Sequence, residues 1–202
     1  MRAGIVKFGV RWATVSRSMM RFFSMLAAEK AVTARAESHG ADALLMCFDT
    51  IVVLEGAVLG KPSDRADAWR MLRALSGRTH QVVTGVALLA PDSATPHTFA
   101  VTTNVEMRGL DDRAIEEWMA HGTFLGCAGA YNIEAQVAEV GLCDCYQNVA
   151  GLPLCHLYAA LTGHAALAAW LPAQPTSPLA ACDAALGRRC ELGPRVIAEG
   201  AR

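Results

Sequence analysis

Between residues 43 and 62 the chain breaks one hydrophobic rhythm and starts another. Ala43 through Phe48 is a continuous apolar run, Asp49-Thr50 interrupts it, and Ile51 through Leu54 resumes it. A short run of this kind is what a strand covered on both faces shows, and here it carries a carboxylate within or at the end of that strand. Glu55-Gly56 is a turn signal, so Ala57-Val58-Leu59-Gly60 returns as the second arm of a hairpin and delivers Lys61-Pro62 to an edge. Upstream, Met20, Phe23, Leu26 and Ala27 recur at helical spacing over residues 17–38, with Gly40 to close the helix.

Further along, Ser63 reads as the N-cap of a helix with Asp64 and Asp67 in its first turn. Ala68, Met71, Leu72 and Leu75 form its apolar face, and Gly77 stops it. Residues 79–90 and 97–107 read as an antiparallel pair of strands joined by the Pro91-to-Pro96 loop; in the second, Phe99, Val101, Thr103, Val105 and Met107 alternate with their neighbours. Asp111 or Asp112 caps another helix with Ile115, Trp118 and Met119 inward, ended by Gly122. Residues 123–136 are rich in Gly and Ala without a period, as in a loop whose backbone closely approaches something. Leu152-Pro153 opens a helix through Leu161, and the Ala-rich stretch 163–202 with its scattered Pro reads as partly helical or loose. The pattern predicts an α/β fold: a single domain over residues 1–162 with a mixed, strongly twisted sheet flanked by helices, followed by a tail over 163–202.

Composition narrows the function classes. A chain of 202 residues is one domain of usual size, and a formal net charge of -1 excludes a global polycation. The first two dozen residues carry Arg2, Lys7, Arg11, Arg17 and Arg21 with no acid before Glu29; this is read as the outer face of a helix rather than a transit peptide. No aromatic-basic interleaving recurs beyond Phe22-Phe23, and no uninterrupted apolar run approaches the roughly 20 residues of a bilayer-spanning helix, so neither nucleic acid nor a membrane is expected as a partner. The seven cysteines lack the spacing of a disulfide framework and read as reduced thiols, which points to the cytoplasm. Cys143-Asp144-Cys145 and Cys155-His156 lack the CxxC pair of a zinc site. An acid in a strand, a lysine beyond a hairpin and a Gly-rich loop together suit an anionic ligand.

The residues themselves suggest which one. Ala27-Ala28-Glu29-Lys30-Ala31, then Asp49-Thr50-Ile51-Val52-Val53-Leu54-Glu55-Gly56, then Leu59-Gly60-Lys61-Pro62 stand in order. They continue through Met71 to His80, Val82-Val83-Thr84-Gly85-Val86, Ala128-Gly129-Ala130-Tyr131 and Asn148 to Leu154. This series over about residues 26–160 resembles the Maf family of nucleoside triphosphate pyrophosphatases, which cut the α–β phosphoanhydride and release pyrophosphate. The resemblance implies a Maf/ITPase-like fold, with residues 1–162 as an N-terminally incomplete pyrophosphatase domain. It also implies that Asp49 is the proton acceptor and a ligand of a divalent metal, Mg²⁺ or Mn²⁺, and that Lys30 and Lys61 lie near the triphosphate. Asp49, Lys61 and the loop over 127–134 are accordingly expected to share one cleft.

Thr50 and Glu134 speak to the base, and they disagree. Thr after the acid resembles the branch acting on dTTP and UTP. Glu134, with Cys127-Ala128-Gly129, resembles the branch acting on 7-methyl-GTP; a Glu only accepts hydrogen bonds, whereas the Gln of the pyrimidine branch also donates. Pyrimidine triphosphates are the expected substrates, with 7-methyl-GTP, or nucleotide binding by a catalytically degenerate relative, as the alternatives. The family's Ser-x-Ser-x-Arg-Arg phosphate loop is not found upstream of Lys30, where Ser16-Arg17-Ser18-Met19-Met20-Arg21 has only a faint likeness to it. Assembly as a homodimer is left open.

Overall fold

A computed structural model describes residues 15–37, 42–133, 137–171 and 175–200. Five strands, β1 (Leu45–Leu54), β2 (Ala57–Leu59), β3 (Thr79–Leu89), β4 (His97–Met107) and β5 (Ala138–Val140), form one sheet in the order β2-β1-β3-β4-β5. The central β3 is buried from Val82 onward, which is why its sequence there is apolar apart from Thr84. On β4 the pattern alternates, with Val101, Thr103, Val105 and Met107 buried and Asn104 and Glu106 exposed, because one face of that strand is less covered. Helices on both sides and one sheet make the α/β domain that the periodicity predicts.

The mixed sheet expected from sequence is corrected: among the described residues every neighbouring pair is antiparallel. Two of the connections, Glu55-Gly56 and the loop after β3, are hairpin links too short for the crossover that a parallel neighbour needs. The helical crossover through α2 (Arg65–Leu75) does set β3 parallel to β2, but β1 lies between them. The N-cap of α2 is also corrected. Asp64, not Ser63, accepts the Asp67 N–H at 2.8 Å, and the buried Asp67 carboxylate reaches back to the Ser63 N–H at 3.0 Å. Asp64 and Asp67 thereby satisfy two donors at the helix start reciprocally.

One face of the sheet is covered by α1 (Arg17–Glu37), which buries the stripe Phe23, Ala27 and Ala31. Small residues in that stripe let the helix lie close. A β-carbon on Gly85 would meet the Phe23 carbonyl oxygen at 2.3 Å. The other face carries α2 and α3 (Asp112–Ala120), whose Leu72, Leu75, Ile115 and Met119 pack on Val52, Val82 and Val105. Farther along that face, after α4 (Tyr146–Val149), α5 (Leu154–Gly163) and α6 (Ala165–Ala168) cover Val86 and Leu88 through Leu161 and Leu167. The stretch expected as partly helical or loose contains α6, α7 (Leu179–Leu186) and α8 (Leu192–Gly200), and Gly200 of α8 lies directly on Ala159 and Gly163 of α5. Among the described residues no helix is long and apolar enough to cross a membrane.

Because the atom facing Gly85 is a backbone carbonyl, it has no rotamer with which to yield. Gly85→Ala is therefore expected to destabilise the domain by about 1–3 kcal/mol, whereas Gly109→Ala, where nothing lies within 4 Å of the added carbon, stays within about 0.5 kcal/mol of the parent. Urea unfolding of the two variants measures this. Equal midpoints would mean that α1 does not depend on its contact at Gly85.

Candidate active site

Successive residues of a strand point to opposite faces, so β1 turns Asp49 toward α1 and Thr50 away from it. Asp49 pairs in register with Gly85, the point of closest approach of α1. About two turns along α1 from Phe23 stands Lys30, and its side chain, leaning toward the helix N-terminus, donates from Nζ to Asp49 Oδ1. Asp49 is 23% exposed and Lys30 55%, so the pair adds only about 0–1 kcal/mol to stability. Its significance is chemical: a carboxylate held by a cation at the surface of a rigid strand. Cys47 lies on the same face; burial pushes its thiol up, and the Lys30 charge pulls it the other way.

Thr50 belongs to a different environment. Its hydroxyl shares a hydrogen bond of 3.0 Å with that of Thr84, and Thr84 in turn donates to the Asn148 carbonyl at 3.4 Å. Asn148 is fully buried, and its amide donates to the carbonyls of Val82 and Val101 and to Thr103 Oγ1, each at 3.2 Å. Gly151, just beyond α4, lies against Thr50. Sequence reading missed this support, although a Thr in an otherwise apolar central strand and an Asn before Val-Ala-Gly were the signals available.

Lys61 sits with the Gly-rich turn. Gly129 donates to the Gly60 carbonyl at 3.0 Å, and Cys127, whose thiol is raised by burial, feels the opposing charge of Lys61. Gly129 has φ of 68° and packs on Val52 and Leu75, so a side chain there would meet both strain and Val52 Cγ2 at 2.9 Å. Ala130 follows with φ of 63°, a conformation costing about 1–2 kcal/mol in an L-residue. It is held by the Trp118 indole, which donates to its carbonyl at 2.8 Å. Behind the turn, buried His80 and Tyr131 share a hydrogen bond of 2.6 Å. Glu134 lies outside the described residues.

The expected single cleft is thus divided between the two sides of the sheet. Lys30 and Asp49 lie on the α1 side, while Thr50 and the turn beside Lys61 lie on the other, and no hydrogen bond or ion pair joins Lys61 to Asp49. What connects them is an edge. β2 pairs only with Val52 to Leu54, so among the described strands the β1 backbone from Leu45 to Ile51 has no neighbour on that side. A ligand lying across this edge could touch both faces. The Ser16–Arg21 stretch is not a loop: Ser16 Oγ accepts the Met19 N–H at 3.2 Å, and the helix begins at Arg17.

Among the described residues no three His, Cys, Asp or Glu side chains gather as metal ligands. The donor set around Asp49 is one carboxylate with a lysine against it. Mg²⁺ is commonly held by one or two carboxylates together with substrate phosphates and water, so this set fits a cation arriving with a polyphosphate.

An exposed acid–lysine pair on a covered sheet, with a second lysine at the neighbouring edge, defines an α/β domain suited to an anionic ligand. The chain belongs to the Maf-like protein family, whose model matches residues 9–164. It is 45% identical over 118 residues to the dTTP/UTP pyrophosphatase of Pelotomaculum thermopropionicum, an alignment covering 57% of this chain and 62% of that protein. The dTTP/UTP pyrophosphatases of Syntrophomonas wolfei and Geobacter sulfurreducens are 40% and 41% identical to it over 139 and 138 residues; each alignment covers 67% of this chain, and 72% and 71% of the relative.

Burial behind the turn makes His80 a pH-dependent element. Desolvation lowers its pKa from the ordinary 6.5 to about 4. Between those values the unfolded chain binds a proton that the folded one refuses, so stability is full above about pH 6.5 and falls as pH drops toward 4, by about 3 kcal/mol in all. His97 and His156, also lowered by burial, act with the same sign. Equilibrium unfolding from pH 7 to 4 should show a shallower loss in His80→Gln than in the parent. Superimposable profiles would remove His80 as the source.

Proposed function

We propose that this chain is a nucleoside triphosphate pyrophosphatase that hydrolyses dTTP or UTP to the monophosphate and pyrophosphate. The observation that carries the reading is the Lys30–Asp49 pair beside the edge of β1 that no other described strand pairs with. Family membership and the activity for which the relatives are named support it.

In this reading the triphosphate crosses the β1 edge. Asp49 accepts a proton from a water whose oxygen attacks the α-phosphorus, the bond from that phosphorus to the bridging oxygen breaks, and pyrophosphate leaves. Lys30 offsets the charge gathering on the phosphoryl oxygens from the α1 side, and Lys61 does so from the other. Asp49 would also hold Mg²⁺ or Mn²⁺ brought with the substrate; when bound, such a cation polarises the phosphoryl group and neutralises its charge. Thr50, fixed by Thr84, would contact the base, and Glu134 is assigned to base recognition from its residue type. The seven free thiols support a reducing, cytoplasmic setting, and the catalytic domain is taken as residues 1–162.

Asn in place of Asp49 is nearly isosteric, cannot take the proton and is uncharged. Pyrophosphate release from dTTP and UTP with Mg²⁺ or Mn²⁺ should fall about 10²–10⁴-fold in kcat for Asp49→Asn, with the melting temperature almost unchanged because the ion pair contributes so little to stability. A folded Asp49→Asn protein as active as the parent would refute Asp49 as the base.

The base preference has its own test, since Glu134 supplies acceptors only. Glu134→Gln should raise kcat/KM for UTP and dTTP relative to 7-methyl-GTP, and an unchanged ratio would take Glu134 out of base recognition.

A further inference from the structure

Away from the proposed site, Cys145, Cys155, Cys182 and Cys190 line one small cavity between α4, α5, α7 and the start of α8, together with His156 and Gly193. The Cys155 and Cys182 sulfurs are 3.8 Å apart, in van der Waals contact, and both residues are buried. A β-carbon on Gly193 would meet Cys155 Sγ at 2.8 Å and Cys190 Sγ at 3.4 Å, so Cys190 borders the same pair. Cys190 differs from the other two in being partly exposed, and its sulfur accepts the Gly193 N–H at 3.3 Å in the first turn of α8. None of these residues takes part in the chemistry proposed above. Four thiols around one cavity exceed what packing needs, since any small apolar residue would fill the same space.

We propose that Cys155, Cys182 and Cys190 form an oxidisable thiol group that responds to a peroxide by forming a Cys155–Cys182 disulfide, linking α5 to α7. Cys190 is the entry point. Its sulfur attacks one peroxide oxygen, the O–O bond breaks, and the peroxide is reduced to an alcohol or water while Cys190 becomes a sulfenic acid. Cys155 then attacks the Cys190 sulfur; the S–O bond breaks, and the hydroxyl leaves as water with the Cys155 proton. Cys182 attacks Cys155 and expels the Cys190 sulfur, which takes up the Cys182 proton and ends as a thiol. The net change is two thiols and one peroxide giving one disulfide, one alcohol or water, and one further water. Direct entry at the pair is slow because burial holds the Cys155 thiol up at about 12 and raises Cys182 as well.

The consequence is a staple. Cys155 and Cys182 are separated by 27 positions, so the bridge closes a loop running from the last helix within the family match to the C-terminal helices, and restricts the unfolded chain. In a reducing compartment such a bond would be transient and reversible.

The test uses the full chain, reduced, desalted and treated with stoichiometric hydrogen peroxide under native conditions. Free thiols are then alkylated, and the protein is digested with chymotrypsin and trypsin, which cut at Tyr158 and Trp170 between Cys155 and Cys182 and at Arg188-Arg189 between Cys182 and Cys190. Expected are a linked pair of peptides containing Cys155 and Cys182, two hydrogens lighter than its parts and released by dithiothreitol, and a melting temperature raised by about 5 °C. Cys190→Ser should form the same linkage about tenfold more slowly. The proposal is overturned if Cys155 and Cys182 are recovered alkylated, whether or not exposed Cys143 or partly exposed Cys190 has been oxidised, or if the linkage joins other cysteines. An unchanged rate in Cys190→Ser would overturn the entry step.

Discussion

The Phe23 carbonyl oxygen would stand 2.3 Å from a β-carbon on Gly85, so α1 keeps its place on the sheet only while residue 85 has no side chain. Much else depends on that contact. Ala27 and Ala31 follow Phe23 along the helix and continue the close approach over Ala87 and Leu89. With the helix this near, a lysine about two turns on can reach the register partner of Gly85, which is Asp49. The close packing supplies the precision that the ion pair cannot supply for itself, since two partly exposed charges barely repay the ordering of their side chains. In this arrangement the apolar surface positions the polar group.

This explains which parts of the structure were legible in the chain. The strand over 45–54, the hairpin after it, the helix faces over 65–75 and 112–120, and the long antiparallel pair all show up as period, because each buries a face whose spacing is that of its own backbone. What period cannot report is relative placement. The parallel relation between β2 and β3 exists, but β1 occupies the space between them, and no local pattern in 57–89 records that insertion. The cap at Asp64 rather than Ser63 likewise turned on a choice between two adjacent acceptors, both of which suit the first turn.

At the candidate site the same limit appears as a question of faces. Asp49 and Thr50 are neighbours in sequence and therefore lie on opposite sides of the sheet, so a motif containing both cannot belong to a single pocket wall. The residues named from the chain, Lys30, Asp49, Thr50 and Lys61, gather at the two sides of one strand edge. The supports they rely on were not named: Thr84 and Asn148 behind Thr50, and Trp118 holding the strained Ala130. Buried polar groups of this kind show themselves only through their partners, which are 12 to 66 positions away in the chain.

The two sides also differ in how their polar groups are fixed. On the α1 side the pair is partly exposed, which suits the proposed role of a group that receives a proton and then loses it. On the other side Thr84 and Asn148 are fully buried and bonded across β3 and β4, and breaking any of those bonds would leave an uncompensated donor in the core, at a cost of about 1–3 kcal/mol. Rigidity is therefore concentrated behind Thr50, where the proposed discrimination between bases would need a fixed hydrogen-bonding surface. A strand edge separates the two regimes by one residue, so chemistry and recognition can be adjacent without sharing their supports.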